Sequence, residues 1–342
     1  MKSGKILKNP FLRYVAQRIG QFILVIFIGI TVTFIIPRLS PTNPVERKIE
    51  QMMASGASIH PEALEKFRET MNAMYGLKGS LLEQYLEFWG RFLQGDLGPS
   101  LSAYPTPVSQ LIWSAIPWTI GLLLTTGILS WILGNLLGGI AGYHPQKRWA
   151  QWAEMFATWI RPVPYYITAF VLLILFCYTI PLFPTSDAYS RNVIPGLNPA
   201  FIMSVLYHTF LPALSLVLVG LGGWLLGMRS LVSNIIAEDY VVYAEVGGVN
   251  KKTILTHYVM RNALLPQITG LSLSLGGVFS GALITEYVFG IPGVGMLAYQ
   301  AVYASDYSLI MGVSIFSILG VSVAVLIIDL LYPFFDPRIR LQ

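Results

Sequence analysis

The sequence predicts an all-α integral membrane protein with six transmembrane helices. Of its 342 residues, 54% are hydrophobic and 11% are charged, whereas soluble globular domains carry roughly 25% charged residues. The apolar runs are long and uninterrupted, which indicates helical spans because a helix satisfies its own backbone hydrogen bonds inside a bilayer. Lys and Arg residues are concentrated in the N-terminus, the tail and the short segments assigned to the cytoplasm, whereas the two short external segments hold only Arg191. The seven in the long segment at 38–98 carry little weight, because the positive-inside rule applies to short loops, and the asymmetry favours six spans with both termini in the cytoplasm.

Composition also excludes several classes of function. A net charge of +5 is explained in a membrane protein by basic residues held on the cytoplasmic side, so no nucleic acid is expected as a partner. The single cysteine, Cys177, lies in an apolar run and excludes an intrachain disulfide framework. The four histidines are scattered without the spacing of metal ligands, and no metal site is predicted.

Residues 1–37 are predicted to form a cytoplasmic N-terminus and the first transmembrane helix. Five basic residues and no acidic residue precede the apolar run at 19–37, which is long enough to remain a span. The other spans are predicted at 112–139, 162–183, 208–228, 267–285 and 307–328. Residues 111–332 therefore form the predicted transmembrane core, and residues 333–342 form a cytoplasmic tail.

Residues 38–110 are predicted to form a long extracytoplasmic helical loop between the first two spans, because basic and acidic residues are mixed there. Residues 61–75 have the pattern of an amphipathic helix, and residues 85–92 have the pattern of another. The apolar side of the first helix is formed by Leu64, Phe67, Met71 and Met74. The role of the extended part at 45–60 stays open.

Glycines repeat on one face of two predicted spans. They are Gly134, Gly138 and Gly142 in and just after the second span, and Gly220, Gly223 and Gly227 in the fourth. Small residues at spacings of three or four allow two helices to approach closely in lipid. This pattern is common in helix bundles and identifies no substrate.

A cytoplasmic excursion at residues 229–266 separates the fourth and fifth spans, and it is unusually apolar for an exposed loop. Its first part has helical spacing on one side, at Tyr240, Tyr243, Ala244 and Gly247. Gly247 and Gly248 form a natural helix stop, and Asn250 suits the N-cap of a second helix that runs towards Pro266. The pattern predicts a helix, a glycine turn and a helix, whose apolar face either binds a partner or packs on the chain's own bundle.

This excursion resembles the cytoplasmic coupling loop of ABC importer permeases of the oligopeptide and dipeptide type, which dock onto separate ATPase subunits. The resemblance rests on DYV at 239–241, Ala244, Gly248 and RNALLP at 261–266. Glu245 and Gly247 depart from it, since a basic residue and a lysine are usual at those positions. The resemblance implies a type I permease fold and ATPase-coupling residues at Asp239, Tyr240, Tyr243, Ala244, Glu245, Gly247, Gly248, Arg261, Asn262, Leu265 and Pro266.

Three further motifs carry the same resemblance. WGRFLQGDLGPSL at 89–101 is similar to the segment before the second span of these permeases, and it implies docking of an extracytoplasmic binding protein near Trp89, Arg91 and Asp96; a cap that only packs on the bundle is the alternative. EYVFGIPGVGML at 286–297 is similar to the motif after the fifth span. Glu286 is predicted to be a structural anchor or a pathway residue. FDPRIR at 335–340 resembles the family's ending.

The chain lacks the residues of an ATPase or of another enzyme. No sequence of the form G-x-x-x-x-G-K-[ST] occurs, so phosphates have no cradle, and no nucleophile elbow is present. No catalytic residue is predicted. The resemblance implies a transport subunit of a prokaryotic cytoplasmic membrane, with ATP and Mg bound only by partner ATPases. The implied partners are a second homologous permease subunit, one or two ABC ATPase subunits, an extracytoplasmic solute-binding protein and the lipid bilayer.

The substrate stays open at this point. The resemblance implies uptake of oligopeptides or similar oligomeric solutes, and members of the family carry dipeptides, nickel chelates or oligosaccharides. Aromatic side chains suited either to packing and interface belts or to stacking on sugars are Trp113, Trp118, Trp131, Tyr165, Tyr166 and Trp224. A stand-alone secondary transporter or channel is the alternative of another class, and it predicts transport without any ATPase.

Overall fold

The structure is a computed structural model that describes residues 10–39, 43–54, 56 and 60–335, and this part of the chain is helical. Its only extended pairing is an isolated antiparallel bridge between Pro99 and Pro107. The α-helices are α1 (Pro10–Arg38), α2 (Pro44–Ala54), α3 (Pro61–Met74), α4 (Leu81–Leu93), α5 (Val108–Tyr143), α6 (Arg148–Ile160), α7 (Tyr165–Leu173), α8 (Pro199–Ile236), α9 (Asp239–Val246), α10 (Lys251–Thr253), α11 (Arg261–Gly276), α12 (Leu283–Val288), α13 (Val294–Tyr303) and α14 (Tyr307–Phe335). The all-α prediction is confirmed for the described residues.

Three segments with other helical geometry join these α-helices. They are a π-helix at Ile174–Thr179 after α7, a π-helix at Ile254–Met260 between α10 and α11, and a 3₁₀ turn at Gly277–Ser280 after α11. The family-like ending at 336–340 and residues 1–9 lie outside the described residues, as do residues 40–42, 55 and 57–59 of the predicted extracytoplasmic loop.

Four described helices are long and apolar enough to cross a membrane. They are Leu12–Arg38, Val108–Tyr143, Pro199–Ile236 and Tyr307–Leu330. A fifth candidate is the pair Arg148–Ile160 and Tyr165–Thr179, whose halves meet at 100°. The span predicted at 267–285 is interrupted, because α11 ends at Gly276 and Gly281 adopts a φ of 74°, which favours glycine.

The chain divides into two compact units, one formed by Met1–Pro117 with Gly293–Gln342 and the other by Trp118–Pro292. In the first unit, α1 and α14 run antiparallel. Arg18 Nη1 lies 3.3 Å from Asp329 Oδ2 near one end of the pair, and Arg38 Nη1 lies 3.7 Å from Met311 Sδ near the other.

The predicted extracytoplasmic helices of the first unit have their own small core. Val45 and Ile49 of α2 and Met71 of α3 are buried together, and the partly buried side chains around them are Leu64, Phe67, Met74, Tyr75 and Leu77. The amphipathic helix predicted at 61–75 is therefore confirmed, and its apolar side packs on α2. Ser80 accepts a hydrogen bond from the Glu83 amide and begins α4 as a capping box.

A buried carboxylate joins this segment to the start of α14. Asp306 Oδ2 accepts hydrogen bonds from Ser100 Oγ at 2.5 Å and from both the amide and the hydroxyl of Ser102 at 2.9 Å. Its Oδ1 accepts from the Leu309 amide at 3.0 Å. Asp306 thus satisfies an N-terminal amide of α14 and fixes the turn before α5.

In the second unit, α5 and α8 are in backbone contact at the glycines predicted for close approach. A Cβ atom at Gly134 would lie 2.5 Å from Trp224 Cβ, and one at Gly142 would lie 2.9 Å from the Arg229 carbonyl oxygen. A Cβ at Gly138 would overlap the Leu225 carbonyl oxygen. The glycine face of α5 therefore allows α8 to approach more closely than any other residue would permit.

Candidate functional site

The segment between α8 and α11 forms a helix, a glycine turn and a helix. After α9, the amide of Gly248 donates to the Glu245 carbonyl and the amide of Val249 donates to the Ala244 carbonyl, both at 3.0 Å. Gly248 has a φ of 75°, where a side chain would be strained. Asn250 Oδ1 accepts from the Lys252 amide at 2.9 Å and caps the next helix. These features confirm the predicted helix stop and N-cap.

One face of α9 is buried on the chain's own bundle. Val241 and Ala244 of α9 lie in a core with Met228 and Val232 of α8. The same core contains Ile254, Val259 and Ala263 from the helix that follows the glycine turn. The excursion is therefore a packed element with a fixed position on α8.

The opposite face of α9 carries apolar side chains that nothing in the second unit covers. Tyr243 is 75% exposed and Val246 is 83% exposed, and Val242 is also exposed. Large apolar groups exposed together on a rigid helix are typical of a contact surface for another protein. We define Tyr243, Val246 and Val242 as the α9 surface.

A hydrogen-bond cluster fastens α9 to the start of α11. Asn262 Nδ2 donates to the Tyr240 hydroxyl at 3.0 Å and to the Tyr258 carbonyl at 2.7 Å. Tyr240 is thereby held from the side, while its ring remains partly exposed. The structure thus brings together two residues that were implied separately, Tyr240 and Asn262.

The remaining residues implied by the resemblance occupy different positions. Ala244 is 8% exposed and faces α8, whereas Tyr243 is exposed on the other side of α9. The prediction from spacing that both lie on one side of this helix is therefore wrong for Ala244. The other residues implied by the resemblance are all exposed, as Tyr240, Tyr243 and Asn262 are, and they are Asp239, Glu245, Gly247, Gly248, Arg261, Leu265 and Pro266. Pro266 lies inside α11 and does not end it. Spacing alone missed Val241 and Val246, which form the buried and the exposed side of α9.

An ion pair fixes the end of α8 from which the excursion begins. The Arg229 guanidinium pairs with the Glu154 carboxylate of α6, and both side chains are partly buried. Partial burial strengthens such a pair relative to a fully exposed one because water screens it less. Glu154 was not among the residues that the sequence singled out.

The three residues predicted for binding-protein docking lie on and after α4 in the first unit. Trp89 is partly buried, and its ring stacks on Phe27 of α1 with centroids 5.7 Å apart. Arg91 Nε lies 3.0 Å from Asp96 Oδ2. Burial opposes the charge on Asp96, but hydrogen bonds from the Gly98 amide and from Arg91 outweigh it and hold the pKa of Asp96 below its usual value.

Glu286 is a fully buried carboxylate in the second unit. Its Oε1 accepts a hydrogen bond from Thr119 Oγ1 of α5 at 2.8 Å. The Ile291 amide donates to the Glu286 carbonyl at 2.8 Å and holds the turn after α12. This geometry suits a structural anchor between α5 and α12. Among the described residues, no group of three or more His, Cys, Asp or Glu side chains is arranged to hold a metal ion.

Comparison with known proteins gives one family match and full-length relatives. AppB, an oligopeptide transport system permease protein of Bacillus subtilis, is 29% identical over 318 residues, which cover 92% of this chain and 95% of AppB. OppB, an oligopeptide transport system permease protein of Haemophilus influenzae, is 28% identical over 331 residues, which cover 96% and 99%. NikB, a nickel import system permease protein of Staphylococcus aureus, is 28% identical over 329 residues, which cover 95% and 91%.

The family match covers most of the second unit and continues through the last helix. Residues 134–341 match the family described as binding-protein-dependent transport system inner membrane component. This range includes α8, the α9 surface and α14, and it fits a multi-pass membrane protein with the apolar helices described above. Since the match extends over more than half of this chain, the chain belongs to the family of inner membrane components of binding-protein-dependent transport systems.

Proposed function

We propose that this chain is the permease subunit of an ATP-driven importer that takes up oligopeptides delivered by an extracytoplasmic binding protein. Family membership supports the transporter class, and the full-length similarity to AppB and OppB supports the peptide class of substrate. NikB, which is named for nickel import, is about as similar, so the substrate needs a direct test.

The proposed topology has six spans in a type I permease fold, with both termini in the cytoplasm and residues 38–110 on the outside. The third span would be α7 with its π-helix, and the fifth would begin within α11 and include the interruption near Gly281. An interrupted helix is tolerated at membrane depth where protein surrounds it. The positive-inside rule supports the orientation, because the short segments assigned to the outside hold few basic residues.

The observation that carries the proposal is the α9 surface. It is apolar, exposed and supported from behind by Val241 and Ala244, which are buried against α8. A partner ATPase that binds Tyr243 and Val246 would therefore transmit its motion to α8, because these residues lie on a helix packed against α8 and not on a free loop. The partner's ATP-driven closure would bias the bundle between outward-facing and inward-facing states.

The other components follow from that role. One or two ABC ATPase subunits would bind ATP and Mg, a second homologous permease would complete the pathway, and a solute-binding protein would deliver the substrate. The present chain would contribute no catalytic residue. Asn262 would hold α9 in place through its hydrogen bond to Tyr240. Its neighbours in α11 would support the same end of the excursion, and they are Arg261, Leu265 and Pro266.

Peptides are favoured over oligosaccharides because several candidate stacking residues are engaged in packing. Trp131 Nε1 donates to the Gln267 carbonyl at 3.0 Å. Trp118 stacks on Tyr189 with centroids 5.9 Å apart, and the Trp224 ring lies against Gly270. All three rings are partly buried and contact other residues of the second unit, which leaves less of each ring open for stacking on a sugar.

The test is reconstitution in proteoliposomes with and without the partner subunits. Uptake of a labelled oligopeptide is expected only when the second permease, the ATPase, the binding protein and MgATP are all present. Nickel chelates and oligosaccharides are the competitors that test substrate class. Uptake by the purified chain alone would refute the proposal in favour of a stand-alone transporter or channel.

A matched pair of variants tests the α9 surface itself. Val246→Asp places a charge in the proposed contact and should lower both ATPase co-purification and peptide uptake, because the charge would be desolvated in the interface. Ala237→Asp places the same charge at an exposed position at the end of α8, just before α9, and should retain both. Equal behaviour of the two variants would contradict the assignment of the surface.

A further inference from the structure

Helix α6 presents a wide aromatic surface that nothing in the second unit covers. Trp152 is 66% exposed and Trp159 is 75% exposed. The adjoining exposed side chains are Trp149, Met155 and Phe156. At 100° per residue these five positions fall on one continuous arc of the helix, beside an exposed polar strip formed by Gln151 and Thr158.

The opposite side of α6 is fixed to α8. Ala150 and Ala157 are fully buried, and a Cβ atom added to Gly222 of α8 would lie 3.2 Å from the Ala157 carbonyl oxygen. Glu154 pairs with Arg229 of α8. The aromatic arc therefore cannot turn inward, and its exposure is a property of the folded unit.

The axis of α6 is nearly perpendicular to that of the helix that follows it. Arg148–Ile160 and Tyr165–Thr179 meet at 100° across Pro162 and Pro164. The orientation of α6 in the membrane rests on the proposed topology, in which α7 with its π-helix is the third span. A helix at 100° to that span would run approximately parallel to the bilayer plane.

We infer that α6 is an interfacial helix that lies on the bilayer surface, with its aromatic arc among the acyl chains at the level of the headgroups. Tryptophan is enriched at this depth because its ring is apolar and its N–H is polar. The exposed cations Lys147, Arg148 and Arg161 at the two ends of α6 fit anionic lipid headgroups.

Lipid is favoured over a protein partner as the occupant of this surface for two reasons. The helix that follows, α7, also exposes apolar side chains, Ile167, Phe170 and Val171, as a span in contact with lipid would. Three basic residues flank the arc at the two ends of α6, from which long side chains can reach anionic headgroups, and no acidic residue lies within the arc itself.

Spin labelling of the assembled transporter tests this inference. In a Cys177→Ala background, a nitroxide is attached to Trp152→Cys, with Phe156→Cys as a second site on the arc and Gln151→Cys as the control on the polar strip. The complex is reconstituted in vesicles of phosphatidylcholine and phosphatidylglycerol. Relaxation by oxygen, which partitions into lipid, is compared with relaxation by a polar nickel chelate, which stays in water.

The expected result is a higher oxygen-to-nickel accessibility ratio at positions 152 and 156 than at position 151. High nickel accessibility at 152 and 156 would show an aqueous surface and overturn the inference. Low accessibility to both reagents at these positions would show that a protein subunit covers the arc, and this would also overturn it. Only transporter that co-purifies with its ATPase is measured, so a failure to assemble is not mistaken for either outcome.

Discussion

Replacing Gly138 with alanine is expected to force α5 and α8 apart. A Cβ atom at this position would overlap the Leu225 carbonyl oxygen and would lie 3.0 Å from the C and Cα atoms of the same residue. Ordinary van der Waals contact begins near 3.4 Å. The obstructing atoms belong to the backbone of α8, which has no alternative rotamer, so the two helices must shift apart at this contact.

The magnitude follows from comparison with a second glycine on the same helix. A Cβ at Gly127 would meet nothing within 4 Å. Either substitution gains up to about 1 kcal/mol of helix propensity, but only Gly138→Ala incurs an overpacking cost of about 1–3 kcal/mol. Because the propensity gain is common to both variants, Gly138→Ala should be less stable than Gly127→Ala by about 1–3 kcal/mol.

The assay is reversible unfolding of the purified chain in mixed micelles. Sodium dodecyl sulfate is titrated, helicity is followed by far-ultraviolet circular dichroism, and the free energy of unfolding is compared between Gly127→Ala and Gly138→Ala. Equal free energies would refute the conclusion that α5 and α8 are in backbone contact at Gly138. A stabilised Gly138→Ala variant would refute it more strongly.

Two further predictions concern the first unit. Asp306→Ala leaves the buried Ser100 hydroxyl and the buried Leu309 amide without this acceptor and should lower the free energy of unfolding by about 1–3 kcal/mol, whereas Asp306→Asn should lose less. An equal loss would contradict the assigned hydrogen bonds. Burial alone would raise the pKa of Asp96, but the hydrogen bonds from Gly98 and Arg91 outweigh it and lower this pKa. The ionised Asp96 therefore stabilises the fold above the unfolded pKa near 3.8, and this stabilisation is lost as the pH falls through the folded pKa. Acid-unfolding curves of the wild type and Asp96→Asn should therefore converge below about pH 4, and curves that stay separate there would count against this assignment.

Local patterns in the sequence predicted the parts of the fold that short-range physics determines. The glycine turn at Gly248 and the cap at Asn250 depend on backbone conformation and on one side-chain oxygen, which residue type alone reports. The close approach at Gly138 follows from the repeat of small residues. The α9 surface was harder, because Val, Tyr and Ala surround that helix on most sides and periodicity gives no preferred face.

Charge and length gave less information where a helix is short or broken. The basic residues around α6 predicted only a short cytoplasmic segment, although Trp149, Trp152 and Trp159 lie between them. The interruption at Gly281 was not predicted either, because an apolar run is scored by its composition and not by the φ that one glycine adopts. Both features depend on packing against other helices, which a single sequence does not display.

The contacts of the second unit explain how a force applied at α9 would reach the spans. Sliding α9 away from α8 would expose Val241 and Ala244, and re-exposing one buried valine alone costs about 1.5–3 kcal/mol. Moving α9 and α8 together exposes none of that surface. Gly138 leaves no space between α8 and α5, so α5 must follow or be displaced when α8 moves. The packing therefore favours rigid motion of the excursion with α8 over local deformation, which is the behaviour that transmission from an ATPase to a membrane pathway requires.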